Sequence, residues 1–289
     1  MAPLSPLTPA LAARLEAMTG RPPGRATALG GGCIAQVLKL ETADGPPLVA
    51  KLSPAGGLAL EARMLVDLAN TGLVPVPGVV AAEDDLLVLQ FVPGGGHLDG
   101  AAERHGAELL AGLHGRTAKA YGYPYDTVIG SLPQPNPWTE RWVEFFRDQR
   151  LLAMGRRAHD AGHLPSASVR QLERLCGRLE RWIEEPARPS LVHGDLWGGN
   201  ILASGGRITA LLDPALYYAD PEIELAFTTL FGTFGADFFA RYGALRPIAA
   251  GFFEVRRDLY NLYPLLVHAT LFGGSYIHSV ERTLRRFAG

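Results

Sequence analysis

The chain has 289 residues, 47% of them hydrophobic and 19% charged, with a formal net charge of -2. That length holds a large core, in one two-lobed domain or two modest ones; the composition excludes a disordered chain, and the near-neutral charge gives no electrostatic reason to bind nucleic acid or membrane. Two cysteines, Cys33 and Cys176, exclude a secreted disulfide framework and suit a reducing cytoplasm.

In chain order, Thr8 reads as an N-cap with Pro9 at the first helical position of a helix that runs through Leu11 and Leu15 to a stop near Gly20. The start of the chain carries no early basic residue and no apolar stretch of signal-peptide type, and no run approaches the roughly 18 apolar residues of a membrane span. From about Thr27 to Phe91 strands dominate. Gly30-Gly31-Gly32 interrupts the first, Gln36 to Glu41 forms the second, Asp44-Gly45 supplies a turn, and Leu48 to Leu52 is the third. A helix follows with Leu58, Glu61, Met64, Leu65 and Leu68. Leu86 to Val92 is a nearly continuous apolar run of the buried-strand type.

Pro93-Gly94-Gly95-Gly96 breaks the pattern and marks a hinge, so the expected division is residues 1–92 and 93–289 of one overall domain. Beyond it helical periodicity is expected over Ala101–His114, Trp138–Ala153, Ala167–Glu185, Pro221–Phe231 and Leu259–Leu271.

Chemistry concentrates in His193-Gly194-Asp195-Leu196-Trp197-Gly198-Gly199-Asn200, followed by Asp213-Pro214. The flanks are strand-like: Ser190-Leu191-Val192, then Ile201-Leu202, a turn at Ser204-Gly205-Gly206, and Ile208 to Leu212. An aspartate, an asparagine five residues on and a second aspartate are what phosphoryl transfer from ATP requires. One carboxylate accepts the proton of the attacking hydroxyl, while the amide and the other carboxylate hold the metal on the phosphates. Asp195 is therefore the candidate base, and Asn200 and Asp213 are candidate Mg²⁺ ligands. Lys51 closes the third strand, where an ammonium can meet the α- and β-phosphates, and Glu61 on the next helix is its expected ion-pair partner. Lys39 competes for that role but lies mid-strand with no helix after it. The loop Gly30-Gly31-Gly32-Cys33-Ile34 would approach phosphate oxygens with its backbone N–H groups. It matches neither a Walker loop nor a dinucleotide fingerprint.

These residues resemble the aminoglycoside phosphotransferase-like branch of the protein-kinase superfold, and within it the fructosamine (ketosamine-3-) kinase family. The resemblance covers about residues 18–280. It is carried by Gly30 to Ile34; by Ile129-Gly130, Gln134, Asn136, Trp138, Trp142, Phe145-Phe146 and Arg150-Leu151; by His193 to Asn200 with Trp197; by Asp213-Pro214-Ala215 with Tyr217-Tyr218 and Leu230-Phe231-Gly232; and by Leu271-Phe272-Gly273-Gly274 with Tyr276 as a C-terminal helix. It implies an α+β, bilobal protein-kinase-like fold with a small antiparallel-sheet N-lobe and a mainly helical C-lobe. The implied reaction is transfer of the ATP γ-phosphate, with Mg²⁺, to the 3-hydroxyl of fructosamines or ribulosamines on small amines or glycated proteins, whose unstable product frees the amine. Adenine would lie near Leu89, Gln90, Phe91 and Val92, and Trp197 and His268 would face the sugar. In some members a cysteine at the position of Cys33 links two chains, so Cys33 is a candidate redox switch and dimer link.

The chain departs from the family pattern beside His268, where Val267 and Thr270 replace expected asparagines. Eukaryotic protein-kinase marks are missing, since no His-Arg-Asp, Asp-Phe-Gly or Ala-Pro-Glu occurs in the expected places. The alternatives are another small-molecule kinase of the superfold, for aminoglycosides, choline or homoserine, or a silent nucleotide-binding pseudokinase. No residue of the catalytic set is lost, as a pseudokinase would require, and a cytoplasmic enzyme is expected.

Overall fold

The computed structural model describes residues 7–30, 35–43, 45–95 and 97–287. They form two compact units, Met1–Ala102 with Gly199–Pro214, and Glu103–Gly198 with Ala215–Gly289. The first unit thus takes in the segment to Ala102 and a later hairpin, beyond the 1–92 boundary expected from the sequence.

Helix α1 (Pro9–Thr19) is written in its ends: the Thr8 hydroxyl accepts the Leu11 N–H, Pro9 sits in the first turn, and Gly20 closes the helix in the left-handed region. Strands β1 (Pro23–Ala28), β2 (Gln36–Thr42) and β3 (Leu48–Leu52), helix α2 (Leu58–Ala69), and strands β4 (Val79–Ala82) and β5 (Leu86–Gln90) complete this part of the unit. The five strands make one antiparallel sheet in the order β1-β2-β3-β5-β4. The strand expected from Thr27 begins four residues earlier, because Pro23 stands on the edge strand, where a missing N–H is tolerated. The run expected to continue to Val92 ends as a strand at Gln90.

The alternation of the sheet separates two cores. Leu38, Leu40, Ala50, Leu86 and Val88 pack with Leu15 of α1. Leu87 and Leu89 pack with Leu58, Ala62 and Leu65 of α2. Lys51 pairs with Leu87 in the ladder, so it emerges on the α2 face.

The second unit is mainly helical. Helix α3 (Gly100–Leu113) leads to the hairpin β6 (Thr127–Ile129) and β7 (Leu132–Gln134). Helix α4 (Trp142–Phe145) continues through a π-helical stretch, Phe146–Leu152, into α5 (Ala153–Asp160), and α6 (Ser166–Cys176) precedes β8 (Ser190–Val192). The chain then returns to the first unit for the hairpin β9 (Ile201–Ser204) and β10 (Arg207–Leu211). Gly205 and Gly206, both with positive φ, form its two-residue turn. Strand β11 (Tyr217–Ala219) pairs with β8, and helices α7 (Glu222–Leu230), α8 (Ala236–Leu245), α9 (Arg257–Tyr260), α10 (Leu262–Phe272) and α11 (Ser275–Phe287) follow.

Several expected helices shift. The one expected from Trp138 begins at Trp142, since Thr139 is held in a bridge to Tyr121 and the Glu185 carboxylate caps the N–H of Trp142 at 2.6 Å. The one expected to reach Glu185 stops at Cys176. Helices α8 and α11 were not among those expected from periodicity, and α10 ends at Phe272 before Gly273 and Gly274, both at positive φ. Among the described residues no helix is long and apolar enough to cross a membrane.

Candidate active site

In the first unit, Lys51 is the centre. Its ammonium lies 2.7 Å from Glu61 Oε1 and 2.7 Å from Asp213 Oδ1. Strand β3 aims the side chain at α2, and Glu61 rises to it from the first turn of that helix. The lysine is buried, whereas the Asp213 side chain is 48% exposed. Burial works against the charged form of Lys51, but the carboxylates of Asp213 and Glu61 together outweigh it and hold the pKa above its ordinary value. Glu61 moves up, first because it is buried and then because the Asp213 charge faces it, against the pull of Lys51. Lys39, the competing lysine, instead pairs with Glu41 at 2.9 Å and lies 4.7 Å over the Phe91 ring.

Asp213 is the one non-glycine at positive φ among the described residues, at 52°. An L-residue in that region costs roughly 1–2 kcal/mol, a strain that clusters at functional sites. The hairpin imposes it: Leu211 pairs with Ile201, the Leu212 N–H donates to the Asn200 carbonyl at 2.9 Å, and the Leu211 N–H donates to Pro75 at 2.9 Å. Asn200, which is buried, and Asp213 therefore flank the open end of one hairpin.

Of the loop expected to approach the phosphates, Gly30 is among the described residues. Gly31, Gly32, Cys33 and Ile34 lie outside the described residues, as does Gly96 of the hinge. Gly30 is exposed, and the Leu29 N–H donates to Val37, which joins the strands on either side of the loop. Along the expected adenine edge, the N–H groups of Gln90 and Phe91 are taken by Gly78 and Pro47. Leu89 is buried against α2.

In the second unit, β8 runs into His193-Gly194-Asp195. Gly194 has φ 86°, and a Cβ there would stand 2.1 Å from the Ala215 carbonyl oxygen, so only glycine fits. The Ala215 N–H donates to His193 at 2.7 Å, the Gly194 N–H to Glu224 Oε1 at 2.7 Å, and the Asp195 N–H to His193 Nδ1 at 3.3 Å. Glu224 is buried, with Oε2 2.9 Å from His114 Nε2, and His114 Nδ1 in turn lies 2.8 Å from the Tyr242 hydroxyl. Burial would raise the Glu224 pKa, but the hydrogen bond and charge of His114, the charge of His193 and the Gly194 N–H bring it below the usual value. The loop carrying half-buried Asp195 thus rests on a fixed buried carboxylate.

A second buried network holds the segment after Asp213-Pro214. Gln134 donates to the Ala215 carbonyl and to Thr127 Oγ1, accepts from the Tyr263 hydroxyl at 2.6 Å, and shares Thr127 with Asn136. Arg150, fully buried, donates to Asn136 Oδ1 at 2.6 Å and lies 4.0 Å over Tyr217 and 4.5 Å over Phe145.

Trp197 begins an aromatic wall in the same unit. Its ring lies 6.0 Å from Phe231, Phe231 lies 5.0 Å from His268, and His268 lies 4.9 Å from Tyr276 and 5.8 Å from Phe272. His268 Nδ1 lies 2.8 Å from the Pro264 carbonyl, which fixes the proton there and leaves the lone pair on Nε2. Burial lowers its pKa, so the ring is neutral near pH 7. Of the departures beside it, Val267 is buried and the Thr270 hydroxyl donates to the Leu266 carbonyl.

Glu224, His114 and the Gln134 network were not identified as site supports from the sequence. The available signal for Glu224 was an acid within the apolar run Ile223, Leu225, Ala226, Phe227.

The sequence profile of the fructosamine kinase family matches residues 7–288. The chain belongs to the fructosamine kinase family. Membership makes it a kinase, a phosphotransferase. Among curated relatives, a Synechocystis sp. protein described as a probable ketoamine kinase is 38% identical over 271 residues, covering 89% of this chain and 88% of that protein. The chloroplastic protein-ribulosamine 3-kinase of Arabidopsis thaliana is 33% identical, covering 86% and 78%. A Thermobifida fusca protein, crystallised under a fructosamine-3-kinase assignment, superposes with TM-score 0.85 at 32% identity, covering 95% of this chain and 97% of that one. An aminoglycoside phosphotransferase at 20% identity and TM-score 0.64 shares the fold, which places the family within the protein-kinase-like α+β class.

Proposed function

We propose that this family member transfers the γ-phosphoryl group of ATP to the 3-hydroxyl of a ketosamine, a fructosamine or ribulosamine borne by a small amine or a protein, and that it works in the cytoplasm. The observation that carries the reading is the pairing of Lys51 with both Glu61 and Asp213, at 2.7 Å each, on the α2 face of the sheet. That arrangement orients an ammonium for the α- and β-phosphates.

Asp195 takes the proton of the acceptor hydroxyl while that oxygen bonds to the γ-phosphorus and ADP leaves. Asn200 and Asp213 fit Mg²⁺, since both offer oxygen, the donor that ion prefers, and Asp213 keeps its carboxylate half exposed. When bound, the ion supplies neutralisation of charge on the phosphates. The loop that begins at Gly30 is assigned to the phosphates, and the segment Leu89 to Val92 meets the base through its backbone. Trp197 offers an apolar face to the sugar, and the Nε2 lone pair of His268 accepts from a hydroxyl or N–H of the acceptor.

An aminoglycoside kinase needs free carboxylates for a polyamine sugar, and the acids that follow Asp213 in the chain are Asp220, Glu222 and Glu224. All three are engaged within the protein. Asp220 is buried and bonded to the Glu222 N–H and to Tyr260, Glu222 pairs with Arg256 at 2.8 Å, and Glu224 holds Gly194 and His114. This supports a ketosamine acceptor. Turnover of fructosyl-lysine, ribulosyl-lysine, kanamycin and choline with Mg·ATP tests the proposal: phosphorylation of the ketosamines is expected, and turnover confined to kanamycin or choline would overturn it.

A further inference from the structure

An open cleft of about 420 Å³ in the second unit is used by none of the chemistry above. Its walls include Tyr123, Tyr125 and Trp138, with Asp126, Asn136 and Gln149 among the polar lining. Trp138 is 51% exposed although it is a tryptophan, the side chain that gains most from burial. The rings are held in place: Tyr123 and Tyr125 meet edge-on with centroids 4.9 Å apart, and Trp138 and Tyr123 each lie 6.1 Å from Tyr218. The Asp126 carboxylate is exposed, and its Oδ1 accepts the Asn136 N–H at 2.8 Å, which fixes the charge at the cleft. Aromatic faces beside an anchored carboxylate are the chemistry that recognises an organic cation, by cation–π attraction and by charge.

The cleft is tied to the catalytic loop. Asn136, which lines it, donates to Thr127 Oγ1; Gln134 donates to that same oxygen and to the Ala215 carbonyl; and the Ala215 N–H donates to His193, two residues before Asp195. An extended polypeptide covers about 3.3–3.6 Å per residue, so a side chain three to five residues from the glycated lysine reaches roughly 10–15 Å from it.

We propose that this cleft binds a lysine or arginine side chain of the acceptor polypeptide, a few residues from the glycated lysine, and so favours protein-bound ketosamines in basic sequence contexts. The proposal rests on the ketosamine reading for its substrate, but the cation site itself is measurable without turnover.

The test uses two peptides with one fructosyl-lysine and, four residues away, either arginine or glutamine, together with their unglycated forms. Wild-type enzyme should show a KM roughly 5-fold lower for the arginine peptide, the size expected of an exposed cation–π site. Trp138→Ala and Asp126→Asn should each abolish that preference and leave the KM for free fructosyl-lysine unchanged. Asp126→Asn keeps an acceptor for the Asn136 N–H, so it removes the charge without removing the turn. Fluorescence anisotropy of the labelled unglycated peptides should show the same arginine preference and the same loss. Arginine-selective binding in an enzyme that turns over no ketosamine would overturn the substrate reading and uphold the cleft. Equal KM and equal binding for the two peptides, or a preference that survives both substitutions, would overturn the cleft.

Discussion

The backbone N–H of Gly194 donates to the buried carboxylate of Glu224 at 2.7 Å, which joins the loop that carries Asp195 to helix α7 thirty residues later in the chain. The second oxygen of that carboxylate meets His114 at 2.9 Å, so one side chain fixes both the turn before Asp195 and a buried imidazole.

Replacing Glu224 with alanine leaves the Gly194 N–H and His114 without their acceptor in a buried setting, where breaking one partner of such a pair costs about 3–5 kcal/mol. Glu224→Gln keeps a carbonyl acceptor and should cost less, about 1–3 kcal/mol. Urea unfolding measures both. An alanine variant as stable as wild type would remove this carboxylate from the account.

The Lys51–Glu61 pair predicts a loss of rate rather than of fold when only its aim is changed. Glu61→Gln retains size and an oxygen but not the charge. Misplacing the ammonium by about an ångström should lower kcat/KM for ATP about 10²-fold. Steady-state kinetics with ATP varied, alongside unchanged circular dichroism, measure it, and near wild-type kcat/KM would contradict the role of Glu61.

What was legible in the sequence was local. Thr8, Pro9 and Gly20 write both ends of α1, and the glycines at 205 and 206 write the β9–β10 turn, because caps and two-residue turns depend on neighbours in the chain. Lys51, Glu61, Asn200 and Asp213 were nameable because the chemistry fixes residue type and order, and the strands fix which face Lys51 takes. What was not legible depends on distant partners. Helix α4 begins at Trp142 because Glu185, 43 residues on, caps it, and β11 exists because β8 lies beside it. Glu224 stands out in the sequence only as an acid within an apolar run, and its role depends on His114 and Gly194, placed against it by the fold. The strain at Asp213 lies beyond a register shift between Ile208 and Ala210 of the hairpin, which no local pattern announces.

Asp220 gives a pH prediction. Burial, and then the charge of Glu222, push its carboxyl up to about 7 against the bonds from Tyr260 and the Glu222 N–H. An acid raised in the folded state from the usual value of about 4 favours folding fully below that value, and the contribution is lost as pH rises through about 7. Across that window the residue should lower stability by up to roughly 1.4 kcal/mol per pH unit. Asp220→Asn, which keeps an acceptor for the Glu222 N–H, should flatten the slope. Urea titrations at pH 5 and 8 measure it, and equal slopes in variant and wild type would contradict the assignment.

Asp195→Asn removes the proton acceptor but keeps the size of the side chain. The rate with fructosyl-lysine should fall on the order of 10²–10⁴-fold while ATP affinity changes little. Single-turnover kinetics and nucleotide binding separate the two, and a kcat close to wild type would refute Asp195 as base.

The central claim is the position of the transferred group. Incubating the enzyme with Mg·ATP and fructosyl-lysine and recording a phosphorus–proton correlation NMR spectrum of the product addresses it directly. The account predicts a phosphorus signal coupled to the proton on C3 of the sugar; a signal coupled to any other position, or ATP consumption with neither a phosphorylated ketosamine nor freed lysine, would contradict it.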